Sequence, residues 1–147
     1  MDFIMFADRV EGVKRTNKIL FGLPHDTIAS DEELSAVQSC LQVTFPKDYA
    51  DFLQAYGGGY FGYTVVYSCD PDSWFYLPNH VTSQWVHAHD FLPIVDFETG
   101  DLGGFRVKDN VCGNVVSIFD HEKNCVPEDG GMDFFSFLLR HGLSMEI

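Results

Sequence analysis

The fold of this chain is decided by residues 45–59, which read Phe45-Pro46-Lys47-Asp48-Tyr49-Ala50-Asp51-Phe52-Leu53-Gln54-Ala55-Tyr56-Gly57-Gly58-Gly59. The large apolar residues of this stretch recur at i, i+3, i+4 and i+7, which is the spacing of one face of an α-helix. Pro46 suits the first position of that helix, and Gly57 suits a left-handed C-terminal cap. Beyond residue 60 the pattern changes to runs rich in Tyr and Val, which are typical of strands.

Two further helices are predicted before this stretch. Ser30 and Glu33 form a capping box, in which each side chain accepts a hydrogen bond from the other residue's backbone amide. An apolar face follows at helical spacing, formed by Leu34, Val37 and Leu41. Residues 2–18 form another candidate helix, with acids early and bases late, an order that suits the helix macrodipole. Its apolar stripe is formed by Phe3, Ile4, Ala7 and Val10.

Four strands and a closing helix are predicted after residue 59. The strands are expected at residues 60–67, 91–97, 105–108 and 111–119. Pro93 favours an edge or the start of a strand, and Asp109-Asn110 favours a tight turn. Residues 70–90 are ambiguous, with room for a short helix at 79–88. Residues 120–131 are expected to form a polar loop, and residues 132–141 an apolar helix.

The order of these elements predicts an α+β fold for a single domain that spans residues 1–147. N-terminal helices precede an antiparallel β-sheet meander, and a C-terminal helix follows it. The helices are expected to pack on one face of the sheet.

Charge is the strongest compositional signal. The 147 residues carry 9 Lys and Arg against 22 Asp and Glu, a net charge of −13, and no Lys or Arg occurs between Lys47 and Arg106. Such a chain repels nucleic acid and anionic membranes, so an electrostatic partner should be a basic protein. The alternative is that the charge serves only solubility.

The N-terminus and the cysteines indicate a cytoplasmic protein. The first residues carry an acid where a signal peptide needs a base, and no apolar run is long enough to span a membrane. The four cysteines form no C-x-x-C pair, so they are expected to be reduced and mostly buried. A monomer is favoured, and no cofactor is expected.

Three patterns in the sequence could indicate a catalytic or ligand-binding site, and each has a simpler interpretation. Residues 57–62 match G-x-G-x-x-G, but they follow a helix, whereas a dinucleotide site requires the glycines to precede one. His87 and His89 could ligate a metal together with Asp120, His121 or Glu122, although no other ligand spacing supports this. Carboxylate pairs are expected by chance in so acidic a chain. The sequence therefore favours a binding protein that has no metal and is not an enzyme.

The candidate partner-binding surface combines acids from predicted loops with loop aromatics. If the strands are neighbours in a meander, we expect some strand-end loops to gather on one edge of the sheet and to form a negative patch that steers a basic partner. The candidate residues are Asp70, Asp72, Trp74, Tyr76, Glu98, Asp101, Asp120 and Glu122.

The sequence resembles the SUKH superfamily, which includes fungal regulators of cell-wall synthesis and bacterial toxin-immunity proteins. The resemblance is carried first by the predicted acidic helix that begins after Ser30 and by residues 45–58 after it. They match the family pattern of an acidic helix, then Leu-Pro-x-Asp-Tyr, then x-x-Phe-Leu, and an aromatic residue or Asn before Gly-Gly. It continues in Phe91-Leu92-Pro93-Ile94, Gly100-Asp101, the strand from Val115 to His121, and Phe134-Phe135-Ser136-Phe137-Leu138. The match covers about residues 28–140. The chain departs from the family in having Phe45 for Leu and Gln38 for a frequent Glu.

The resemblance implies a non-enzymatic binding protein. The first function it implies is that of an immunity protein that binds and neutralises a cognate toxin domain, often a nuclease. The second is an intracellular regulatory or scaffold module for signalling proteins. A third interpretation, outside the resemblance, is a hydrolase that uses carboxylates or the pair of His87 and His89.

Overall fold

The computed structural model describes residues 1–126 and 131–146. Within them the α-helices are α1 (Phe3–Thr16), α2 (Asp31–Leu41), α3 (Lys47–Tyr56), α4 (Ser83–His89) and α5 (Phe134–Phe137). Short 3-10 helices span Lys18–Phe21 and Leu77–Asn79, and a π-helical turn spans Leu138–Gly142. The strands are β1 (Gly59–Phe61), β2 (Thr64–Val66), β3 (Phe91–Asp96), β4 (Leu102–Lys108), β5 (Val111–Phe119) and β6 (Met132–Asp133).

The helix boundaries follow local chemistry. The capping box of α2 is confirmed, with the Glu33 amide donating to Ser30 Oγ at 3.1 Å and the Ser30 amide donating to Glu33 Oε1 at 3.0 Å. The left-handed cap of α3 is confirmed at Gly57, which has φ of 83°. Pro46 lies one position earlier than expected, because it has extended backbone angles and forms the N-cap of α3.

The six strands form one antiparallel sheet in the order β1-β2-β3-β4-β5-β6, so each strand pairs with its sequence neighbours. The sheet is curled, and the helices precede and follow it as predicted. The α+β fold is therefore confirmed.

The predicted strand at residues 60–67 is wrong, because the chain forms a hairpin there. Gly62 has φ of 57°, and Tyr63 follows it at the tip between β1 and β2. A Cβ at Gly62 would lie 2.0 Å from the carbonyl oxygen of Gly142, so glycine is required both by the turn and by this close contact. The Tyr and Val residues of this segment indicate β-strand structure, but they do not reveal the turn at Gly62.

Two other expectations need correction. Pro93 is not in an edge strand, since β3 is interior; it lies next to a register shift and beyond the end of the β2 ladder, where no amide is needed. Residues 132–141 are not one helix, because Met132 and Asp133 pair with β5 before α5 begins. Part of the loop expected at 120–131 lies outside the described residues, at 127–130.

The main core lies between the helices and the sheet and is rich in aromatic rings. Phe6 of α1 stacks on Phe135 with ring centroids 4.7 Å apart, and Phe52 of α3 meets Phe134 edge-on at 5.6 Å. The apolar stripe predicted for α1 is partly wrong, since Ile4 is 79% exposed and Phe6 is buried in its place. Rings at these separations add about 0.5–1.5 kcal/mol per pair beyond the burial of area.

Tyr49 joins this core to the sheet through a buried hydrogen bond. Its side chain is fully buried, and its hydroxyl donates to the carbonyl oxygen of Tyr67, just after β2, at 2.7 Å. The bond satisfies a hydroxyl and a carbonyl that would otherwise be costly to bury.

We expect Tyr49→Phe to lower the free energy of unfolding by about 1–3 kcal/mol, because it leaves the Tyr67 carbonyl without this donor. Urea unfolding at 25 °C would measure the loss. Tyr63→Phe is the matched control, since Tyr63 is 68% exposed; its effect should stay within about 0.5 kcal/mol. Equal stability of Tyr49→Phe and the parent protein would contradict the role of the bond.

The four thiols should fall into two classes of reactivity. Cys40 and Cys125 are exposed, whereas Cys69 and Cys112 are buried, so the expectation of mostly buried cysteines holds for two of them. Burial raises the pKa of the Cys69 and Cys112 thiols to about 12. In a native disulfide-exchange assay two thiols should react fast and two only at the rate of unfolding. Four fast thiols in folded protein would contradict this burial.

Candidate functional site

Four acidic residues of the predicted surface meet at one end of the sheet. Glu98 and Asp101 lie in the turn between β3 and β4, and Asp120 and Glu122 follow β5. These segments are neighbours because Leu102, the first residue of β4, pairs with Phe119, the last of β5. We call Glu98, Asp101, Asp120 and Glu122 the acidic sheet end.

Asp101 and His121 tie the acidic sheet end together. Asp101 Oδ1 lies 2.7 Å from His121 Nδ1 and accepts a hydrogen bond from the His121 amide at 3.2 Å. The hydrogen bond from His121 lowers the pKa of the Asp101 carboxyl, and the same bond raises the pKa of the His121 imidazole. The imidazole also lies against Gly100, where a Cβ would approach its ring to 2.9 Å.

The remaining acids of this region divide into structural and solvent-facing groups. Asp120 Oδ1 accepts from the amides of Glu122 and Lys123 at 2.9 and 3.3 Å, and Asp96 Oδ1 accepts from the Glu98 amide at 2.7 Å. Glu98 and Glu122 are exposed. These two residues are therefore best placed to meet a partner.

An exposed aromatic residue lies at the same end of the sheet. In an antiparallel meander the connections alternate between the two ends, so the β1–β2 turn and the β3–β4 turn share one end. Tyr63 occupies the first of these turns and is 68% exposed. The sequence did not single it out, because Tyr63 was assigned to the interior of a strand.

The other half of the predicted surface lies at the opposite end. Asp70, Asp72, Trp74 and Tyr76 belong to the connection from β2 to β3, which leaves the sheet at the other end from the β3–β4 turn. The eight candidate residues therefore divide between the two ends of the sheet, and only some of the strand-end loops gather at one end. Consecutive connections of a meander cannot lie at the same end.

Within that second group the side chains have different roles. Asp70 accepts from the amides of Asp72 and Thr27 at 3.0 and 3.3 Å, so it fastens the loop to the segment before α2. Trp74 is 81% exposed, whereas Tyr76 is half-buried against the core. Of the four residues in this group, Asp72 and Trp74 are exposed, whereas Asp70 and Tyr76 are partly buried.

The histidine pair considered for a metal is used by the backbone. His87 Nε2 lies 3.1 Å from the carbonyl oxygen of Leu41, and His89 Nδ1 lies 2.8 Å from that of Trp85. These bonds hold α4 to α2 and close its last turn. One oxygen or nitrogen atom from each of Asp101, Asp120 and His121 lies within 4.8 Å of the others. Asp101 bonds His121, whereas Asp120 accepts hydrogen bonds from the backbone amides of Glu122 and Lys123.

A pocket of about 480 Å³ was missed by the sequence interpretation. Its walls come from α1, the 3-10 helix Lys18–Phe21 and the following loop on one side, and from α3 and β1 on the other. Its lining combines aromatic rings with the ionisable side chains of Glu11, Lys14 and His25. No sequence pattern could reveal it, because it forms only where three distant segments pack.

The profile of the SUKH_6 family, described as SMI1-KNR4 cell-wall, matches residues 31–138. The chain belongs to this family. The resemblance to the SUKH superfamily is thereby confirmed, and membership in it suggests a protein that acts through protein–protein interaction. No curated protein matches the chain.

The matched residues contain the acidic sheet end but not all of the pocket. The match begins at the first residue of α2, so α1 and the 3-10 helix Lys18–Phe21 lie before it. Each helix in the described ranges is too short or too polar to span a bilayer.

The pairing of His121 with Asp101 should be visible by titration. We expect the imidazole to titrate above its ordinary pKa of 6.5. Because the folded-state pKa of His121 is raised, the pair stabilises the fold below pH 6.5 as long as Asp101 is ionised, and this contribution disappears as the pH rises through the folded-state pKa of His121. Asp101→Asn should bring the titration midpoint back toward 6.5, as measured from the ring Cε1 resonance by NMR.

Glu122→Gln is the matched control for this titration. It removes a nearby negative charge but not the hydrogen bond, so it should lower the midpoint by less than Asp101→Asn does. An unchanged midpoint in Asp101→Asn would show that the pair does not form in solution.

Proposed function

We propose that this chain is a non-enzymatic immunity protein of the cytoplasm that binds and neutralises a cognate, basic toxin domain. The observation that carries the proposal is the acidic sheet end, where acids from two connections converge. SUKH_6 membership supports a function in protein–protein interaction. The alternative of a hydrolase loses support because both His87 and His89 bond backbone carbonyls.

The charge balance favours a basic partner. The acidic sheet end contains four acids, whereas the basic groups in the same region are Lys123 and His121. Acids therefore outnumber bases there, as they do in the whole chain. A nuclease toxin must hold phosphate and is therefore electropositive around its active site. Complementary charge of this kind raises the association rate more than it lowers the dissociation rate.

An aromatic anchor beside the acids would supply the short-range part of the binding energy. Tyr63 is exposed at the same end of the sheet, and Tyr is enriched among residues that dominate interfaces. Its turn is held by a hydrogen bond from the Tyr63 amide to the Gly142 carbonyl at 2.8 Å. A preorganised turn loses less conformational entropy on binding.

A second candidate function is that of a regulatory or scaffold module. The observation that favours it is the family description, which names the cell wall. The two functions differ in the partner: an immunity protein binds a domain that is toxic by itself, whereas a regulatory module binds a protein that cells tolerate.

Neutralising the exposed acids should slow binding. The tagged full chain is used to capture its partner from the cell that encodes it, and the captured domain is then expressed from an inducible promoter. We expect that domain alone to stop growth and co-expression of this chain to restore growth.

Glu98→Gln/Glu122→Gln should lower the rate at which this chain associates with the captured domain at low salt by about two- to fivefold, and should flatten the salt dependence of that rate.

Asp8→Asn/Glu32→Gln provides the charge-matched control, since both residues are exposed on helices away from the acidic sheet end. It should leave the association rate nearly unchanged. A captured partner that cells tolerate would overturn the immunity function in favour of the regulatory one. Equal association rates for the two double variants would overturn the role of the acidic sheet end.

A further inference from the structure

The pocket of about 480 Å³ contains a cation site that the chain fills with its own lysine. Lys14 Nζ lies 5.3 Å from the ring centroid of Phe21 and 5.5 Å from that of Tyr56. The same atom lies 3.6 Å from Glu11 Oε1. Two aromatic faces and a carboxylate thus converge on one ammonium group. Each face is within the distance of about 6 Å at which a ring quadrupole attracts a cation.

The Lys14 side chain is held loosely in the pocket. The Lys14 side chain is 39% exposed and Glu11 is 56% exposed, so the lysine can swing into solvent without unpacking α1. An exposed ion pair of this kind is weak, because water screens it and the side chains lose entropy. The rings are held much more firmly, since Phe21 meets Phe61 edge-on at 5.7 Å and Tyr56 packs on Phe6 at 5.8 Å.

When the Lys14 ammonium swings into solvent, Glu11 and the acidic surroundings of the pocket favour a cation over an anion. Burial, and secondly the Glu11 carboxylate, raise the pKa of the Tyr56 hydroxyl, so the negative field of Glu11 reaches the pocket wall. The loop that carries Asp72 is close by, because the ring of Phe75 lies 5.3 Å from that of Tyr60, which lines the pocket. The whole chain carries a net charge of −13.

We propose that this pocket receives an arginine side chain of the basic partner protein, which replaces the Lys14 ammonium between Phe21 and Tyr56 and beside Glu11. A guanidinium is planar, stacks on aromatic faces and is less strongly hydrated than an ammonium, so it competes well with lysine for this position. The proposal rests on the proposed function only in taking the partner to be a basic protein.

The position of the pocket makes it suited to partner selection. Glu11, Lys14 and Phe21 lie before residue 31, where the family match begins, while Tyr56 and Tyr60 lie within it. Leu23, which lines the pocket, is 52% exposed. The family match therefore covers one wall of the pocket, and the segment before the match supplies the other.

A peptide titration tests the site without any captured partner. The probe is acetyl-Gly-Arg-Gly-amide, added to the ¹⁵N-labelled full chain, and its control is the citrulline analogue, which keeps the shape but lacks the charge. We expect saturable shifts at the wall amides of Ala55, Gly58 and Tyr60 with the arginine peptide, and little change with the citrulline peptide. Lys14→Met should tighten binding about three- to tenfold, because the internal competitor is gone.

Matched variants separate the site from general charge effects. Lys18→Met removes an equivalent exposed charge outside the pocket lining and should leave the affinity almost unchanged. Glu11→Gln should weaken binding about threefold or more, whereas Asp8→Asn, one turn earlier, should not. Glu11→Gln keeps the test decisive if Lys14→Met fails to fold.

Three results would overturn the proposal: no saturable shifts in either the parent chain or Lys14→Met, equal binding of the citrulline peptide, or preferential binding of acetyl-Gly-Glu-Gly-amide. Glu98→Gln/Glu122→Gln should bind the arginine peptide like the parent chain. The peptide titration therefore tests the pocket independently of the acidic sheet end and of the toxicity of the captured domain.

Discussion

The fold depends on the way in which α3 is fastened to the sheet. Tyr49 of this helix is buried without any exposed surface, and its hydroxyl reaches the Tyr67 carbonyl as the chain leaves β2. At the other end of the helix, Gly57 brings the backbone so close to Asp26 that a Cβ would lie 2.1 Å from the Asp26 carbonyl oxygen. The helix is thus fixed at both ends, and the rings of α1 and α5 can pack against a rigid surface between them.

The parts of the fold that could be predicted from sequence are those that depend on residues close together in the chain. The caps of α2 and α3 depend on residues three or four positions apart, so Ser30, Glu33 and Gly57 were sufficient to predict them. The hairpin at Gly62 was not predictable in this way, because its glycine is required by contact with Gly142, eighty residues away in sequence. Local chemistry can be recognised in a sequence, whereas a close contact between distant segments cannot.

The candidate surfaces, like the fold, could be predicted only where they depend on local sequence. The acids of the acidic sheet end were all named from sequence, since acids next to turn residues mark strand ends. Their separation from Asp72 and Trp74 follows from the strand order of the sheet, because consecutive connections of a meander lie at opposite ends. The pair of surfaces suggests two functions: long-range charge at one end for rapid encounter, and shape-selective contact in the pocket for choice of partner.

The stacking of Phe6 on Phe135 also has a consequence for synthesis of the protein on the ribosome. The meander joins each strand to the one made just before it, so most of the sheet can assemble as the chain emerges. The apolar face of α1, in contrast, has no complete partner until Phe135 has left the exit tunnel. Until then the rings outside α1 on which Phe6 can pack are those of Phe52, Tyr56 and Phe61, so the packing of α1 is completed after most of the sheet has formed.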